Sequence, residues 1–199
     1  MSYEEGTSLD TYLNDSQLTA AKKDQVLRQL RSYVKQMREL KGEKIGGVYT
    51  GGCDTSTIEQ DIRDNSEEYG PYTTEADFNE GMVKALDHRL SCNSQSSPQF
   101  RRASRHQIEQ MLRALSNHDI VFCYNKLQLS NMLVREDGIL VLLDWSSAGF
   151  WPEYWEFCSA IIGEYCFPDW MFIIEKTVKP HYPELAIMNQ YHRYLWGEE

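Results

Sequence analysis

Between Tyr124 and Trp145 the chain gathers the side chains that could do chemistry. Tyr124 and Lys126 can donate protons or stabilise an enolate, and Asp144 can act as a base. Asn131 and Asp144 offer an amide oxygen and a carboxylate, the hard donors that hold a divalent cation such as Mg²⁺. Asn125, Ser130, Asn131 and Trp145 add polar and aromatic contacts for a bound molecule. The four aromatics Trp145, Trp151, Tyr154 and Trp155 also suit a hydrophobic core, and core is the expected place for such residues.

The elements that must position these groups can be read from the pattern. Ile120, Val121 and Phe122 predict a short buried strand, and CYNKLQLSN follows as a loop. Met132-Leu133-Val134 and Ile139 to Leu143 predict two strands, joined by Arg135-Glu136-Asp137-Gly138, a hairpin turn of the Asp-Gly kind. The second strand runs into Asp144-Trp145, so Asn131 and Asp144 would meet at the mouth of the hairpin. Elsewhere the spacing is helical. From Leu18 to Leu40 the apolar stripe is Val26, Leu27, Leu30, Val34, Met37 and Leu40, with Thr19 as N-cap and Gly42 as a positive-φ C-terminus. Thr74-Glu75-Ala76-Asp77 resembles a capping box opening a helix through Leu86. A helix from Arg102 to Leu115 carries Ile108, Met111, Leu112 and Leu115. Pro152 is expected in the first turn of a helix holding Tyr154, Trp155, Phe157, Ala160 and Ile161, with another helical segment from Asp169 to Val178. Ile45 to Cys53 reads as loop or small hairpin, Asp54 to Gly70 as irregular, and residues 91–99 as a surface loop.

The chain has 199 residues and 23.2 kDa, enough for one self-sufficient core. Its 20 Lys and Arg against 30 Asp and Glu give a formal charge of −10, which disfavours nucleic acid and anionic membrane as partners. Five cysteines, odd in number and without a C-x-x-C, predict neither a zinc ribbon nor a disulfide framework. The acidic start MSYEEGTSLD is unlike a secretory signal, and the apolar run Phe157 to Phe167 is too short to cross a bilayer. A cytoplasmic, reducing location is the expectation. The glycines Gly46-Gly47 and Gly51-Gly52 match neither phosphate-loop pattern. His118-Asp119 reads as a loop pair, and His88, His106, His181 and His192 show no metal-ligand spacing along the sequence.

The stretch IVFCYNKLQLSNMLVREDGILVLLDWSSAGFWPEYWEF resembles the core of the aminoglycoside phosphotransferase and choline kinase family, especially its fungal members. That family carries a V-F-x-H-G-D-L-x-x-x-N-I-L-V loop, then I-L-D-W-E and a G-x-x-P-x-Y-W-E helix start. Tyr3 to Leu9 resembles the hinge segment leading into its C-terminal lobe. Pro71-Tyr72-Thr73-Thr74-Glu75 with Phe78-Asn79 resembles its G-P-F-x-T-E-x-x-F-N segment. The resemblance implies an α+β, mostly helical fold over residues 1–199: the C-terminal lobe of the protein-kinase-like fold, with a small β-hairpin sheet carrying the catalytic loop and no N-terminal lobe. Two departures follow. The family's His-Gly-Asp falls on Tyr124-Asn125-Lys126, so a lysine stands where the base aspartate belongs, and the Glu after D-W is Ser146. The chain also starts at the hinge, without the lobe that covers the nucleotide phosphates. Glu153 and Glu156 are expected to be structural.

An ammonium does not accept a hydroxyl proton unless its pKa is pushed far down. Lys126 within about 4 Å of a divalent ion would also oppose it, by about 8 kcal/mol at an effective dielectric of 20. Lys126 is therefore expected to pair with Asp144 and fill the metal's place, leaving Asn131 and Asp144 a vestigial metal pair. Neither Mg²⁺ nor ATP is an expected cofactor. Three readings stay open: a pseudokinase that binds a small molecule or partner protein; a non-kinase enzyme of secondary metabolism, such as a cyclase, dehydratase or isomerase using Lys126, Tyr124 and Asp144; and a residual phosphotransferase or a decayed fragment. Apolar surface around Met1, Tyr3 and Leu9 would be uncovered without an N-terminal lobe, which predicts a homodimer through that face.

Overall fold

Two strands that flank the Tyr124–Asn131 loop belong to different sheets, and this division organises the molecule. The computed structural model describes residues 5–48, 70–89, 98–163 and 169–196. Strand β1 (Thr7–Ser8) leads into helix α1 (Leu9–Asn14) and helix α2 (Ala20–Arg38). Strand β2 (Gly46–Gly47), helix α3 (Glu75–Arg89) and helix α4 (Pro98–Ala114) follow. Next come strands β3 (Ile120–Cys123), β4 (Met132–Val134), β5 (Leu140–Leu142) and β6 (Gly149–Pro152). Helices α5 (Trp155–Ile162), α6 (Trp170–Glu175) and α7 (Tyr182–Trp196) close the chain. The architecture is α+β and mostly helical, with two small antiparallel sheets ordered β1-β4-β5 and β2-β6-β3.

Helix α2 forms where the sequence predicts it. Thr19 caps it, its side chain accepting from the Lys22 N–H, and Val26, Leu30, Val34 and Met37 are buried. The stop differs. Glu39 ends the helix in right-handed geometry and Gly42 does not take a positive φ. Gly42 is small for another reason: a Cβ there would lie 2.4 Å from the Phe150 ring. Helix α3 starts at the expected Thr74, whose hydroxyl accepts from the Asp77 N–H at 3.1 Å, and Pro98 and Gln99 of the expected loop open helix α4.

The strand expected at residues 120–122 runs to Cys123, and its partner is one the sequence pattern missed. Gly149–Pro152 is a strand, with Phe150 opposite Phe122 and Trp151 opposite Val121. Pro152 therefore closes a strand rather than opening a helix, and α5 begins at Trp155. Proline has no N–H to give a ladder, so the end of a strand is a place it can occupy. Ile45 pairs with Tyr72 and Gly46–Gly47 with Gly149 and Phe150, so this segment joins the second sheet instead of folding on itself. Gly51, Gly52, Cys53, the segment from Asp54 to Tyr69, and residues 91–97 lie outside the described residues.

Strands β4 and β5 form the expected hairpin. Gly138 donates to the Arg135 carbonyl at 2.9 Å with φ of 79°, so the glycine sits after the turn and takes the left-handed position. One connected set of buried side chains runs from Leu9 to Leu195 and includes Trp151, Tyr154, Trp155 and Phe157. Trp151 and Trp155 stack with centroids 5.2 Å apart, and Phe78 meets both edge-on. Leu9 is fully buried, so it contributes nothing to an uncovered apolar face; Met1 and Tyr3 lie outside the described residues. Among the described residues no helix is long and apolar enough to cross a membrane.

Candidate functional site

The loop from Tyr124 to Asn131 leaves β3, while Asp144 and Trp145 leave β5. The loop begins on a backbone conformation that few side chains adopt. Asn125 has φ of 65° and Asp144 has φ of 52°, both left-handed, where Asn and Asp are the non-glycine residues best tolerated. Glu156, reaching in from the first turn of α5, fixes the first of these bends. Its carboxylate is 1% exposed and accepts from the Tyr124 N–H at 2.6 Å and the Asn125 N–H at 2.8 Å. Burial pushes the Glu156 carboxyl above its usual range, against the pull of Arg38 and the two N–H donors. The structural role expected of Glu156 thus has a definite target, the first turn of the loop.

Lys126 Nζ lies 2.5 Å from Asp144 Oδ2 and donates to Ser146 Oγ at 3.0 Å. Ser146 completes the group by donating its hydroxyl to Asp144 Oδ1 at 2.7 Å, and its N–H to the same oxygen at 3.3 Å. The Lys126 ammonium and the Ser146 hydroxyl hold the Asp144 carboxyl below its ordinary range. Each carboxylate oxygen of Asp144 accepts from a donor, so the carboxylate that would take a cation is neutralised by the chain's own lysine. Asn131 sits beside this group but faces the loop: its Nδ2 donates to the Lys126 carbonyl and to Gln128 Oε1, each at 3.4 Å. Its backbone carbonyl accepts from the Leu143 N–H at 2.8 Å, tying the loop to the end of β5.

The other expected site residues divide by burial. Tyr124 is fully buried and its hydroxyl donates to the Leu143 carbonyl. Burial, with Asp144 and Glu156 nearby, pushes its pKa up. Tyr124 is therefore a packing and hydrogen-bonding residue, not a proton donor lining an open cleft. Asn125 is also buried, and its Nδ2 donates inward to the Ser147 carbonyl at 3.0 Å. Ser130 is exposed on the short 3₁₀ turn Leu129–Asn131. Trp145 is 47% exposed, unlike Trp151, Tyr154 and Trp155, which lie in the core. Its indole donates to the Leu142 carbonyl at 2.9 Å and its ring meets Tyr124 edge-on. The outward face of the site is thus Lys126, Asp144, Ser146 and the Trp145 ring.

Two features escaped the sequence pattern. The first is a groove of about 1030 Å³ between the β1–α1 segment and the β4–β5 turn, bordered by Asp10, Lys22, Arg135 and Asp137. It holds none of the expected site residues. The second is a convergence of His118, His181 and Glu184, whose potential ligand atoms lie within 4.8 Å of one another. His118 was expected to be a plain loop residue, and only its nearness in space to the start of α7 separates it from one. Burial pushes the Cys123 thiol up to about 12, out of the range of a thiolate nucleophile. No protein-family model matches the chain, and no curated protein matches it.

Proposed function

We propose that the protein is a non-catalytic relative of the aminoglycoside phosphotransferases, a kinase-like C-terminal lobe that binds a small molecule without transferring phosphate. The observation that carries this reading is the Lys126–Asp144 ion pair at 2.5 Å. Phosphoryl transfer needs a base for the acceptor hydroxyl and a cation to neutralise the phosphate oxygens. Lys126 stands where the family's base would stand, and its ammonium spends the one carboxylate left for the cation. The exposed Trp145 ring beside the Lys126–Ser146 pair offers a flat apolar surface and polar donors, the combination that orients a small planar ligand. The reading as a repurposed enzyme has less support, because Tyr124 is buried and its hydroxyl committed to Leu143.

The test compares wild type with Lys126→Ala in the full chain. Wild type is expected to show no MgATP turnover and no Mn²⁺ binding at Asp144 by paramagnetic broadening of nearby resonances. Lys126→Ala is expected to gain Mn²⁺ binding while remaining unable to turn over ATP. Turnover by the wild-type chain would sink the proposal.

A further inference from the structure

On the far side of β3 from the Lys126 loop, four chain segments bring histidines and carboxylates together. Glu75 opens α3, His118 precedes β3, Glu153 follows β6, and His181 with Glu184 begins α7. Their side chains are largely shielded: 11% exposed for His118 and Glu75, 7% for His181 and 16% for Glu184. The geometry points to a zinc-type divalent metal site formed by His118, His181 and Glu184.

Three observations support it. The first is donor spacing. A tetrahedral zinc with bonds of about 2.0–2.1 Å separates its ligand atoms by about 3.3 Å. His118 Nε2 and Glu184 Oε1 stand at 3.2 Å, and His181 Nδ1 lies 3.7 Å from Glu184 Oε2. All three ligand atoms fall within 4.8 Å of one another, so closure onto one ion needs side-chain shifts of about an ångström.

The second is the surroundings of each histidine. Metal-bound histidines almost always give their other ring N–H to a carboxylate, a carbonyl or water, which fixes the tautomer and strengthens the donor. His118 Nδ1 lies 2.5 Å from Glu75 Oε1, leaving Nε2 to face Glu184. Glu75 also accepts the His118 backbone N–H at 3.1 Å, so one carboxylate fixes both the backbone and the ring of His118. His181 Nε2 lies 3.8 Å from Glu153 Oε2, which gives the second histidine a carboxylate neighbour as well.

The third is unmet demand. His181 Nε2 is buried with no hydrogen-bond partner and Nδ1 stops 3.7 Å short of Glu184 Oε2, so either ring nitrogen is open to an ion; the Tyr154 hydroxyl, whose ring packs edge-on against His118 at 4.8 Å, is buried and unpaired as well. Buried polar groups are rarely left unpaired in native proteins. Charge points the same way. Glu75, Glu153 and Glu184 bring three negative charges and Lys179, 3.2 Å from Glu153, returns one. Counting these carboxylates and Lys179 alone, the cluster carries a net −2, which one divalent cation cancels. Imidazoles with a carboxylate are a zinc-type donor set.

The untagged full chain, stripped with chelator and dialysed against zinc, is expected to retain one equivalent in the site. Cobalt(II) in its place is expected to give the intense visible bands of a tetrahedral ion with nitrogen ligands. Zinc at a hundred times its Kd is expected to raise Tm by about 5–10 °C, since it ties the segment before β3 to the start of α7 in the folded state only. Glu184→Gln and His181→Gln are each expected to weaken zinc at least tenfold. Arg28→Ala, on the exposed face of α2 and in neither site, is expected to leave zinc binding unchanged. If His181→Gln fails to fold, Glu184→Gln and the cobalt spectrum of the wild type decide. A wild type that holds no zinc, or zinc affinity untouched by both variants, overturns the site and leaves a hydrogen-bonded His–Glu network.

Discussion

A lysine in place of an aspartate reverses the charge of a site, and at Lys126 the consequence is local and measurable. The ammonium and the Ser146 hydroxyl together depress the Asp144 carboxyl. The sign of the linkage follows from that direction. Asp144 contributes stability that is present above its unfolded value of about 3.9 and is lost as pH falls through its lower folded value. Carbon-13 titration of the Asp144 carboxyl is expected to give a midpoint below about 3.9, and Lys126→Ala is expected to move it back up. A wild-type midpoint at or above that value would show that the ion pair is not maintained in solution. The carboxylate is 37% exposed, so solvent screening keeps its share of the global stability small.

At the scale of elements, Gly42 illustrates how one residue type answers two different needs. The helix before it ends without left-handed geometry, whereas the Phe150 ring of β6 lies across the position a side chain would fill. Phe150 packs edge-on against Phe122 of β3, so it has little freedom to retreat. Gly42→Ala is expected to cost about 1–3 kcal/mol by overpacking, read as a lower urea midpoint with an unchanged slope. An unchanged midpoint would mean that the α2–β2 connection shifts away from the sheet at no cost. A second close approach holds the second sheet together although β2 has two residues: the β2 backbone runs against Gly149 of β6, where a Cβ would lie 2.3 Å from the Gly46 carbonyl.

For the whole molecule, the informative residue is Leu9. It lies fully buried in the same core that reaches Leu195, so the first described helix is part of the packed structure. Leu9→Ala is expected to cost about 2–5 kcal/mol through lost burial and a residual cavity, seen as a fall in the calorimetric Tm. A cost below about 1 kcal/mol would place the N-terminal segment outside the cooperative unit.

The local part of this fold was written in the sequence. The stripe of α2, its Thr19 cap, the Thr74 start of α3 and the β4–β5 hairpin all rest on contacts a few residues apart, which periodicity and turn chemistry encode directly. The clustering of Lys126, Asn131 and Asp144 follows from that same hairpin, closed within 18 residues of chain. The rest needed the chain to come together over long separations. The apolar run GFWP carries no alternation, so β6 became a strand only through its pairing with β3. Glu156 reaches back 32 residues to the Tyr124 N–H, and His118 meets Glu75 across 43 residues and Glu184 across 66. Residue types along the chain specify which groups can accept, donate or ligate. Which of them share a buried space, and so which charges must be neutralised there, was decided by packing alone.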